Sequence, residues 1–62
     1  MTARDDQLGG LFMIALLYPA KNVKKAHGYY IVEFEGTTAT FMLDARKVTR
    51  QEIDETIKEA RS

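Results

Sequence analysis

The sequence predicts a small α+β domain: a three-stranded antiparallel meander followed by a C-terminal helix packed on one sheet face, in the order β-β-β-α. Three observations predict it. Residues 29–44 carry a hairpin pattern, residues 11–18 form an apolar run bounded by Gly and Pro, and a capped amphipathic segment begins at Thr49.

The hairpin is the sharpest of the three, because residue identity alone sets its register. In YYIVEFEGTTATFMLD, Gly36-Thr37 can form a two-residue turn in which Gly36 supplies the positive φ of a type II′ turn. Phe34 then faces Ala39, Val32 faces Phe41 and Tyr30 faces Leu43, so one side of the ribbon is apolar on both strands. The other side pairs Glu35 with Thr38, Glu33 with Thr40 and Ile31 with Met42. A slip by one residue would mix the two faces, so the register is strongly specified.

Taken in chain order, residues 1–10 are polar, end in Gly9-Gly10 and are expected to be frayed. Residues 11–18, LFMIALLY, are expected to be the first strand, since a short apolar run between Gly and Pro is a strand signature. The alternative is an N-terminal helix, giving α-β-β-α. Thr2 with Asp5 resembles a capping box, and Leu8, Leu11, Phe12, Ala15 and Leu16 fall at helical spacing. Against it, two internal glycines cost roughly 2 kcal/mol relative to alanines. A helix would also leave Met13, Ile14, Leu17 and Tyr18 with no polar face to turn to water.

Residues 19–28, PAKNVKKAHG, read as a connector, either an open loop or one helical turn with Pro at its start and Gly past its end. The C-terminal helix spans residues 50–61. Thr49 and Glu52 have capping-box spacing, Val48 and Ile53 form a hydrophobic staple, and Ile53, Ile57 and Ala60 make a narrow apolar stripe.

Function is bounded mainly by exclusion. A chain of 62 residues makes one domain with a small core, and it has neither cysteines for disulfides nor the Cys/His pairs of a zinc site, His27 being the only histidine. Association with a protein partner or a second copy is therefore the expected source of extra stability. Nine basic and nine acidic residues balance, which leaves no global field toward nucleic acid or an anionic membrane. The apolar run is too short to span a bilayer, which needs about 20 residues. The opening MTARDDQLGG lacks the basic-then-apolar order of a secretory leader, so a complete cytoplasmic product is expected. No phosphate-binding glycine loop and no nucleophile–base set is present. An enzyme is not expected, and no cofactor or metal is implied.

Two interaction surfaces remain. In the three-stranded arrangement Ile31 and Met42, joined by Met13 and Tyr29, leave an apolar patch on the uncovered sheet face, the expected partner-binding site. Alternatively Lys21, Lys24, Lys25 and His27, directly before Tyr29, could serve a nucleic-acid-binding regulator, with cations for phosphates and an aromatic for base stacking. The strand start Gly28-Tyr29-Tyr30-Ile31-Val32-Glu33-Phe34 and the element order resemble, over about residues 12–60, the antitoxins of the HicB kind that partner small RNase toxins. Glu35-Gly36-Thr37 and Arg46-Lys47-Val48-Thr49 stand where that family has a Pro-containing turn and a Gly-Asp/Glu-Thr helix entry. The expectation is a small interaction or regulatory protein, such as an inhibitor, an antitoxin-like protein or an assembly factor.

Overall fold

The computed structural model describes residues 3–62, with side-chain surroundings from residue 5 onward; Thr2, the candidate cap, lies outside them. The element order is α1 (Ala3–Leu17), β1 (Ala20–Ala26), β2 (Tyr29–Phe34), β3 (Thr40–Asp44) and α2 (Arg50–Arg61). The α+β class holds, but the β-β-β-α order does not. Residues 11–18 are mostly helix, and the helix begins at Ala3, inside the segment expected to be frayed. The first strand comes from the supposed connector. The α-β-β-α alternative captured the leading helix and missed β1.

Packing explains why the glycine argument against α1 failed. A Cβ built on Gly10 would lie 2.8 Å from Cζ of Phe41, so the missing side chain is what lets the helix settle on the sheet. Burial of Leu11 and Ala15, with Leu8 and Ile14 packed beside them, offsets the propensity cost. Pro19 sets the end of the helix. It restricts Tyr18 and has no N–H for the carbonyl of Ala15, which instead accepts a 3.4 Å bond from the Arg61 guanidinium.

The sheet order is β1-β2-β3, antiparallel throughout. His27-Gly28 is the tight turn between β1 and β2, with φ of 53° and 79°, the two positive values a type I′ turn requires. Ala26 pairs with Tyr29 across it, and the ladder runs back to Ala20 opposite Phe34 with a bulge at Lys21. Between β2 and β3 the register is the expected one: Tyr30 with Leu43, Ile31 with Met42, Val32 with Phe41, Glu33 with Thr40. The expected two-residue turn is not formed. The ladder stops at Glu33–Thr40 because the Glu35 amide donates to the Pro19 carbonyl at 2.8 Å and the Ala39 amide to the Thr37 hydroxyl at 3.2 Å. Gly36 keeps its positive φ, 87°, within a wider loop.

Both helices lie on the sheet face carrying Tyr30, Val32, Phe34, Phe41 and Leu43, and the core is Leu11, Ala15, Val32, Phe34, Leu43, Val48 and Ile53. α2 starts as its sequence indicates: Thr49 Oγ1 accepts from the Glu52 amide at 3.1 Å, and Glu52 Oε1 accepts from the Thr49 amide at 2.9 Å. The staple residues Val48 and Ile53 are both buried.

Candidate interaction surfaces

Two apolar surfaces stay open, one on each layer. The first is the outer side of α1. Leu8, Leu11 and Ala15 point inward, so residues half a turn away at Gly9, Met13 and Leu16 point outward, with Asp6 and Leu17 flanking them. Met13 is 64%, Leu16 48% and Leu17 77% exposed. Nothing lies within 4 Å of a Cβ built on Gly9, which leaves a notch in the same stripe. A surface helix normally turns charges to water; among the described side chains of α1, charge stands only in the first turn, at Asp5 and Asp6.

The second is the sheet face opposite the helices. Ile31 and Met42 are cross-strand partners on it, and Tyr29 sits two residues from Ile31 and on the same side. Met42 is 54% and Tyr29 41% exposed, while Ile31 is half-buried. Polar groups frame this patch. Glu33 accepts from the Asn22 side-chain Nδ2 at 3.2 Å and pairs with Lys24 at 3.4 Å, and Arg46 forms a two-pronged bond with the Asp44 carboxylate, both at 3.2 Å. The Asn22 bond first, then Lys24, holds the Glu33 carboxyl below the usual carboxylate range; the Arg46 side chain does the same for Asp44.

Of the four residues expected to bind a partner, Tyr29, Ile31 and Met42 are therefore brought together. Met13 is not: it sits on α1, in the other layer, because residues 11–17 are helix rather than a neighbouring strand. Leu16 and Leu17 were missed as site residues, although LFMIALLY is apolar on every side of a helix and so must expose some of it.

The basic residues do not form one cationic face. Lys24 and Lys25 point to opposite sides of β1; Lys24 is paired with Glu33, and the Lys25 ammonium lies 5.6 Å from the centre of the Tyr30 ring. Lys21 stands at the bulge near Glu33, and His27 serves the turn. On an edge strand such lysines have a simpler role, discouraging a second chain from adding to the open ladder. A shallow depression beside Lys21 is lined by Glu33, Phe34 and residues 37–40, mostly threonines, and holds no convergent charged set. Among the described residues no three His, Asp or Glu groups are placed to share a metal ion, and no helix is long and apolar enough to cross a membrane.

Comparisons with protein-family models, curated proteins and solved structures found no match. The likeness to the antitoxins spans about residues 12–60; residues 12–17 are helix, and a β-β-β-α order runs only from Ala20 to Arg61.

Proposed function

We propose that this protein is a non-catalytic interaction protein, working by contact between the outer side of α1 and another protein surface. The observation that carries the reading is the exposure of Met13, Leu16 and Leu17 in one stripe of a helix that has no charged residue after Asp6 and no polar side chain after Gln7. Contiguous apolar surface of this kind is costly to leave in water and marks contact sites in small soluble domains. Docking a helix face into an apolar groove, or against another helix, is a recurrent way to recognise a partner. Inhibitor, antitoxin-like and assembly-factor roles all fit such a contact.

Nucleic-acid binding is the weaker reading, since two of the three lysines of β1 already have partners on the chain. A paired capture experiment separates the two. Wild type, Leu16→Glu and Lys24→Ala/Lys25→Ala chains are immobilised and exposed to extract of the native host. The proposal expects a protein, retained by wild type and by the lysine variant at high salt, that Leu16→Glu loses. Retention of nucleic acid that weakens steeply with salt and vanishes in the lysine variant would replace it with the alternative.

A further inference from the structure

We propose that α1 pairs antiparallel with α1 of a second copy, forming a weak, concentration-dependent homodimer. This rests on reading the α1 face as an interaction surface, and it names the occupant. Three features fit a second copy.

The first is shape. Asp6, Gly9, Met13 and Leu16 recur at spacings of three, four and three along the outer side of the helix, the spacing of a helix–helix seam. In an antiparallel pair centred between residues 12 and 13, Leu16 of each copy lies opposite Gly9 of the other. The space that is open at Gly9 then receives the exposed leucine, twice, by symmetry.

The second is charge. α1 and α2 run side by side in the same direction: Gln7, early in α1, accepts the Asp44 amide at 2.6 Å shortly before α2 begins, and Arg61 at the end of α2 reaches Ala15 near the end of α1. α1 therefore has Asp5 and Asp6 at one end and the Arg61 guanidinium beside the other, while Glu59 offsets Lys58 within the last turn of α2. Antiparallel docking sets Asp5 and Asp6 of each copy at the end of its partner's α1 that Arg61 reaches. Parallel docking would oppose like charges.

The third is area. Fifteen residues make a stripe about 22 Å long, enough for several hundred Å² per partner and below the roughly 800 Å² of a standard interface. The dimer is accordingly expected in the micromolar range, dissociating on dilution.

Sedimentation equilibrium of the full chain, from low micromolar to near-millimolar concentration, tests this, with circular dichroism confirming the fold of each variant. Wild type should rise from 7.1 kDa toward twice that mass. Leu16→Glu should weaken the dimer by about tenfold or more, because a carboxylate enters an apolar seam. Gly9→Ala is the discriminating variant: its methyl meets nothing in the protomer, so the fold keeps or gains stability while the notch for Leu16 closes and association weakens. Met42→Glu, on the opposite layer, should leave the dimer unchanged. A dimer indifferent to Gly9→Ala and Leu16→Glu but broken by Met42→Glu would overturn the proposal in favour of the sheet face. A monomeric wild type overturns self-pairing in either case. If its α1 face still captures a different protein, the proposed function survives; if it captures none, both fall.

Discussion

At the scale of single residues, the two adjacent glycines of α1 have opposite surroundings and should respond oppositely to the same change. Gly9 faces open space, whereas a methyl at position 10 would press on the ring of Phe41. Gly9→Ala should therefore stabilise the protomer by about 1 kcal/mol through helix propensity. At Gly10 the same gain is opposed by displacement of a half-buried aromatic ring, and no net stabilisation is expected. Urea unfolding at low protein concentration, where association does not contribute, measures both. Equal gains would mean that α1 does not approach the sheet through Gly10.

At the scale of elements, each boundary has an identifiable chemical cause. Thr49→Ala removes the acceptor of the Glu52 amide and breaks a two-way capping box, so a loss of about 1 kcal/mol is expected in thermal or chemical unfolding. The β1–β2 turn depends on a backbone conformation rather than on a contact. His27 holds φ at 53°, where Asn is tolerated and a β-branched side chain is not. His27→Asn should be neutral or stabilising, and His27→Val should cost roughly 1–2 kcal/mol. A valine variant as stable as wild type would show that the turn has relaxed to another type. β1 itself has little local drive, since Val23 is its one sizeable apolar side chain; pairing with β2 and the His27-Gly28 turn hold it in place.

At the scale of the whole molecule, the two framed carboxylates set an acid limit. Glu33 and Asp44 both have folded-state pKa values lowered, by Asn22 and Lys24 in one case and by Arg46 in the other. A lowered folded pKa favours the charged form in the native state. Its contribution is present above the ordinary carboxylate pKa of about 4 and is lost as pH falls through the lowered values. The thermal midpoint should be flat from neutral pH to about pH 5 and drop below about pH 4. Glu33→Gln with Asp44→Asn should make that drop shallower. A drop just as steep in the double variant would place the acid sensitivity elsewhere. Salt should reduce the effect, because both pairs are at the surface.

The sequence by itself determined the features that depend on near neighbours or on alternation. The β2–β3 register followed from which residues would share a face, and the start of α2 from Thr49, Glu52, Val48 and Ile53. Of the outer sheet patch, Tyr29, Ile31 and Met42 followed from the same alternation. Only the tertiary structure decided what residues 3–26 become. LFMIALLY satisfies helix and strand patterns alike, and its glycines count against a helix until Phe41 is seen to need the space above Gly10. AKNVKKA lacks the apolar alternation of a strand and becomes one because β2 offers an open ladder and His27-Gly28 turns the chain back onto it. That exchange moved Met13 to the other layer, beside Leu16 and Leu17. The physical reason is the same in each case: a short segment with weak or ambiguous local preference takes its structure from the surface it packs on.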